Sequence, residues 1–168
     1  MLKNILTLFI LSITILSAKA QTSWVKQKFG DKLILNFPTE AKKVAESTYL
    51  AKDSTGAVYG VVIMEIDQSA YKTTLSADTL MVRLKFIDEV VGSIKAKMPK
   101  YTIGNLKIAE INKVKTYSLN GKNDENQSTV HLNIFLIGDV SYSLTCFLPA
   151  GLDPKNKDAF LNGFSVSK

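Results

Sequence analysis

The chain has 168 residues, 46% of them hydrophobic, and carries 21 Lys and Arg against 15 Asp and Glu. One Cys and one His exclude an internal disulfide and a structural zinc site, which draws several ligands from these residue types. Arg83 is the only arginine and the lysines are scattered, so the clustered basic footprint of a nucleic-acid-binding protein is missing and none is expected as a partner.

Residues 1–20 open on Lys3, run apolar from Ile5 to Leu16 and close on Ala18-Lys19-Ala20. That order of charged, apolar and small residues predicts a secretory signal peptide cut before Gln21. The apolar run is shorter than the about 20 residues of a membrane span, and no later segment is apolar enough to form a transmembrane anchor. No Cys follows the cut, so no lipid-modified N-terminus is expected. Residues 21–168 then form a single domain, periplasmic or secreted, with room for a core that needs no cross-links. Lys3 and Lys19 leave with the signal and no acidic residue does, which sets 19 positive charges against 15 negative, a mild +4.

Trp24–Phe29 alternates and predicts a strand. Gly30-Asp31 turns the chain into a second strand over 32–37, which Pro38 ends because proline cannot donate to a ladder. Val44–Ala51 predicts a third strand, and Asp53-Ser-Thr-Gly56 a turn. In the fourth strand, 57–66, Val58, Gly60, Val62, Met64 and Ile66 face one way and Tyr59, Val61 and Ile63 the other, with Glu65. Both faces are apolar, so the strand is expected to be covered on both sides. Ser76 offers an N-cap with Asp78 in the first turn. Leu80, Leu84, Ile87, Val91, Ile94 and Met98 then recur at helical spacing up to Pro99, with Val82, Phe86 and Val90 widening the stripe as a sheet-packed helix requires.

Strands are predicted over 103–111 and 114–119, a polar loop over 120–126, and two long strands over 129–137 and 140–148 around a Gly138-Asp139 hairpin turn. A short helix over 154–162 and an extended piece over 164–166 complete the chain. This order is that of an α+β protein: an antiparallel β-sheet of about six or more strands, one long helix and a short C-terminal helix.

The Trp24–Pro38 segment has an aromatic residue, a glycine, then an apolar strand ending in Phe-Pro. The C-terminal half has a long hairpin whose second strand reads Val-Ser-Tyr-Ser-Leu-Thr, a short helix with Phe160, and Gly163-Phe164-Ser165-Val166. Together these resemble small secreted proteins of the PsbP/Mog1-like fold. The resemblance implies an α/β/α sandwich and a protein that acts mainly by binding, as photosystem accessory proteins and a small-GTPase regulator of this fold do. It implies no catalytic residue set, because fold does not assign function.

The residues offer little chemistry of their own. Pairing about Gly138-Asp139 joins positions whose numbers sum to 277, which sets His131 opposite Cys146, with Cβ atoms about 5 Å apart. That permits a Cys–His dyad, the one nucleophile–base pair available, but no third orienting group is identifiable. Cys146 alternates with Tyr142, Leu144 and Leu148 and reads more simply as a buried thiol. The Asn and Asp residues of 120–126 do not follow calcium-loop spacing. Arg83 falls beside Leu80, Ile87 and Val90 on the apolar arc of the helix, where its stem covers the core edge or its head meets an anion at a cleft rim. No catalytic, metal or cofactor-binding set is assigned and no cofactor is expected. His131, Cys146 and Arg83 remain the candidate site. The leading expectation is an exported, non-enzymatic binding or accessory protein with an unknown protein partner. The alternative is a carrier for a small apolar ligand held between the long helix and the sheet, and the third is a hydrolase using His131 and Cys146.

Overall fold

The computed structural model describes residues 24–65, 80–152 and 155–167. The expected signal peptide, the Ser76 cap and Asp78 lie outside the described residues. Eleven strands and two helices are described, and every strand pairing is antiparallel, as an α+β chain of this order requires.

The strands divide between two sheets rather than one. β1 (Val25–Phe29), β2 (Leu33–Phe37) and β11 (Ser165–Val166) make a three-stranded sheet in the order β1-β2-β11. Leu33, Leu35 and Phe37 alternate with Ile34 and Asn36, and all three are fully buried. That inward face, with Phe29, packs on the larger sheet.

The larger sheet comprises β3 (Lys42–Ala45), β4 (Thr48–Lys52), β5 (Val58–Glu65), β6 (Tyr101–Ile103), β7 (Lys107–Ile111), β8 (Val114–Asn123), β9 (Thr129–Ile137) and β10 (Val140–Leu148). Its order is β3-β4-β5-β10-β9-β8-β6, with β7 also on β8. The expected strand over 44–51 is two strands joined at Glu46-Ser47, with a register shift between Lys43 and Ala45. The expected strand over 103–111 is likewise two, β6 and β7, separated by Gly104–Leu106. β8 runs on through Asn120–Asn123, where a loop was expected. There β6 and β9 flank it closely, and a Cβ on Gly121 would lie 2.6 Å from Ile103 Cδ1 and 2.9 Å from Val130 Cγ1.

Each face of the large sheet carries its own apolar cluster. On one face, Tyr59, Val61, Phe135, Tyr142, Leu144 and Cys146 pack against the small sheet and helix α2 (Lys155–Asn162), through Phe160 and Leu161. On the other, Tyr117, Leu119, Val130, Leu132 and Ile134 pack against Ile87, Val90, Val91 and Ile94 of helix α1 (Leu80–Lys97) and against Met98 just past its end. α1 therefore covers β8 and β9. It does not cover β5 through its described residues: Val62 is 38% and Met64 47% exposed, and Leu50 beside them on β4 is 36% exposed. The expectation that β5 is covered on both faces holds for the Tyr59–Val61 face alone among the described residues.

Three asparagines fasten the end of α2. Asn133 Nδ2 donates to Leu161 O at 3.2 Å, and Asn112 Nδ2 reaches Asn162 O at 2.8 Å and Phe164 O at 2.7 Å. Asn36 Nδ2 donates to Gly163 O at 3.5 Å. The Leu161 and Asn162 carbonyls are among those a helix C-terminus leaves without partners, and the Gly163 and Phe164 carbonyls lie just past it. Asn112 holds φ 52° in the β7–β8 turn, a conformation asparagine tolerates better than most residues.

Candidate functional site

The antiparallel register lays one row of residues across five strands: Ala51, Tyr59, Cys146, His131 and Asn120. The β9–β10 hairpin pairs Val140 with Ile137 and Cys146 with His131, the register expected from the Gly138-Asp139 turn. Gly138 takes φ 61°, which glycine adopts without the steric cost other residues bear. Sequence-adjacent geometry thus brings His131 and Cys146 together under α2.

The chemistry of the pair is quiet. His131 Nδ1 lies 2.9 Å from Asn120 Oδ1 and Nε2 lies 3.1 Å from Thr129 Oγ1. With an amide oxygen at Nδ1, the ring donates there and accepts the Thr129 hydroxyl at Nε2. Burial, reinforced by the Lys157 ammonium and opposed by Asp158, holds the imidazole below its ordinary pKa of 6.5, so it is neutral at pH 7. Neither ring nitrogen is left over to take a proton from a thiol.

Cys146 is fully buried. Burial pushes its thiol from 9.0 up to about 12, against a smaller pull downward from Lys157 and with small upward pushes from Asp53 and Asp158. A thiolate is the reactive form, and this site suppresses it. The thiol should therefore resist alkylation by iodoacetamide in the native protein throughout pH 7–9 and react within minutes once urea unfolds the chain. Native labelling that rises with pH on a scale set by a thiol near 8.5 would contradict this placement; mass spectrometry reads either result.

On the far side of Cys146, the Tyr59 hydroxyl donates to Asp53 Oδ2 at 2.8 Å. Asp53 Oδ1 accepts the Thr55 and Ala57 N–H groups at 2.9 and 3.2 Å and the Thr55 hydroxyl. Burial opposes the charge on Asp53, but these bonds together hold its carboxyl below 3.8. Burial and the Asp53 carboxylate raise the Tyr59 phenol far above 10. Every polar group in this part of the row has a structural partner. The arrangement anchors the 53–57 turn to the sheet and presents no activated group to solvent.

Arg83 lies in α1, and its side chain is outside the described residues. Among the described residues no group of three or more His, Cys, Asp or Glu is placed to hold a metal ion, and no helix is long and apolar enough to cross a membrane. Two features escaped sequence reasoning. One is the exposed set Leu50, Val62 and Met64. The other is Tyr117, which is 1% exposed and whose hydroxyl has no hydrogen-bond partner among the described residues. A tyrosine alternating with Leu119 was legible as a core position, but its lack of a partner depends on which apolar residues surround it.

Comparison with known structures fits this architecture. The chain is first of all an α+β protein built on antiparallel sheet. More particularly, it is similar to the solution structure of cyanobacterial PsbP (CyanoP) from Synechocystis sp., with a TM-score of 0.57 and 12% identity over 89% of this chain and 95% of that one. It is also similar to a crystal structure from Bacteroides thetaiotaomicron, with a TM-score of 0.52 and 14% identity. That match covers 81% of this chain but 45% of the Bacteroides chain, so this protein spans less than half its length. At such identities the likeness establishes the fold: the chain has a PsbP-like fold. No family model and no curated protein sequence matches it.

Proposed function

We propose that this is an exported, non-enzymatic binding or accessory protein whose mature domain, 21–168, is an α/β/α sandwich of PsbP/Mog1 type working in the periplasm or outside the cell. The observation that carries the reading is the contrast between the two sides of the sheet. The side with the histidine and the thiol is packed and chemically satisfied. The other side leaves Leu50, Val62 and Met64 exposed next to one another on β4 and β5. Gly60 shapes this patch, since a Cβ there would lie 2.7 Å from Leu50 Cδ2. A contiguous apolar patch on an otherwise polar surface is the usual mark of a protein-binding site.

A photo-crosslinking residue in place of Met64 should trap one discrete larger species in producing cells, and adding Val62→Lys should abolish it. The same products from a crosslinker at exposed Lys97 would sink the reading. His131→Ala should leave the trapped species unchanged; loss of a measurable hydrolytic activity in that variant would instead revive the enzyme reading. A second reading, the carrier for a small apolar ligand between α1 and the sheet, is favoured by one observation, the unpartnered Tyr117 hydroxyl beneath that helix.

A further inference from the structure

The interface between α1 and the large sheet is apolar in nearly every described position. Ile87, Leu119, Val130, Leu132 and Ile134 are at most 6% exposed, and Val90, Val91, Ile94 and Met98 pack against them. Tyr117 sits among them, 1% exposed, and its hydroxyl is the one buried side-chain polar atom without a hydrogen-bond partner among the described residues. Leaving a buried hydroxyl unpaired costs about 1–3 kcal/mol. Phenylalanine at 117 would fill the same space without that cost.

A water molecule is a poor remedy here. A buried water is stable when it makes about three hydrogen bonds, and the described members of the cluster that holds Tyr117 are mostly aliphatic, with Tyr101, Phe147 and Met98 beside them. A molecule that is itself apolar, with one polar atom to meet the hydroxyl, suits these surroundings better. The apolar surface also continues outward. Ile108, the direct cross-strand neighbour of Tyr117 on edge strand β7, shares its face and is 51% exposed. Val90, Val91, Ile94 and Met98 are themselves only half-buried.

Charge restricts the class further. The exposed Lys115 sets its Nζ over the Tyr117 ring, 5.7 Å from the centroid. Among the described residues no cation is hydrogen-bonded to the hydroxyl, so an anionic head drawn to it would lack a bonded counter-charge there, at a penalty of several kcal/mol. A neutral acceptor carries no such penalty.

We propose that Tyr117 Oη is the polar anchor of a site between α1 and the β7–β8–β9 face for a small apolar molecule bearing one uncharged hydrogen-bond acceptor, such as a ketone, aldehyde or ester. The inference rests on the carrier reading and names the ligand class and the residue that selects it. The hydroxyl donates to the acceptor oxygen, and the aliphatic body lies along the half-buried α1 stripe toward Ile108.

The test titrates 15N-labelled protein with 2-undecanone, undecane and undecanoate. The ketone is expected to bind saturably, to shift amide signals of β7, β8 and α1, and to bind more tightly than the other two. Tyr117→Phe should weaken the ketone about tenfold, the value of one buried hydrogen bond, and leave the alkane unaffected. Ile108→Glu, at an exposed position that keeps the core intact, should weaken ketone and alkane alike. If no probe binds saturably, both the carrier reading and this inference fail. If the ketone binds but Tyr117→Phe binds it equally well, or undecanoate binds tighter, the carrier reading stands and this inference is overturned.

Discussion

Replacement of Phe160 by Ala is expected to cost about 3–5 kcal/mol, the range for emptying a large aromatic site in a core. Phe160 is fully buried, with its ring 5.0 Å from Phe37 and 5.3 Å from Tyr59 between centroids. Those partners belong to β2 of the small sheet and β5 of the large one, so a single side chain joins helix to both sheets. α2 has 8 residues, far below the about 12–15 an isolated helix needs in water, and its existence depends on that docking. Domains of this size are held by about 5–15 kcal/mol in all, so the loss should be a large part of the whole and lower the melting temperature by roughly 10 °C. Trp24 meets Tyr59 edge-on with centroids 6.2 Å apart, so its fluorescence reports on the same cluster during urea unfolding. Phe160→Leu keeps most of the volume and should cost about half as much or less. A Phe160→Ala protein that unfolded within 1 kcal/mol of the parent would show that α2 does not link the layers.

What the sequence revealed of this fold follows the range over which each feature is decided. The β9–β10 hairpin was legible to the residue, including the His131–Cys146 pairing, because a glycine-first two-residue turn fixes register locally. The β3–β4 turn was not, because Glu46-Ser47 contains neither glycine nor proline and the flanking residues alternate as one strand would. Asn120–Asn123 reads as loop by composition, yet β6 and β9 pair with it on either side; tertiary pairing overrides propensity there. The asparagine cap of α2 joins residues 28 to 127 positions apart, and no local pattern announces it. The candidate site divides in the same way. The proximity of His131 and Cys146 is a matter of register and was visible. The burial of Cys146 was visible too, in its alternation with Tyr142, Leu144 and Leu148; the Asn120 and Thr129 partners of the His131 ring are a matter of side-chain packing, and were not. A single thiol leaves the chain without a disulfide of its own, which throws the burden onto contacts such as those of Phe160.

Gly163→Ala is expected to be almost as damaging, although it adds one methyl group at an exposed position. Gly163 follows the last residue of α2, and a Cβ there would lie 2.2 Å from the Ala159 carbonyl oxygen and 3.4 Å from its carbon. The obstacle is backbone, so no rotamer change relieves it and the chain must move. Movement is costly here because the residues on both sides are pinned. Asn112 holds the carbonyls of Asn162 and Phe164, Phe164 stacks on Phe135 at 4.3 Å, and Ser165 and Val166 pair with β2. Overpacking a rigid site costs about 1–3 kcal/mol, and displacing the cap adds the loss of one or more buried hydrogen bonds, each about 0.5–1.5 kcal/mol. A total near 3 kcal/mol is the expected result by urea unfolding. Gly92 supplies the control. It lies within α1, a Cβ there meets nothing within 4 Å, and Gly92→Ala should stabilise the protein by about 0.5–1 kcal/mol through helix propensity alone. The two substitutions add the same methyl group with opposite sign. If both were neutral, the close approach at Ala159 would not be present in solution, and the anchoring of α2 to the C-terminal strand would have to be sought elsewhere.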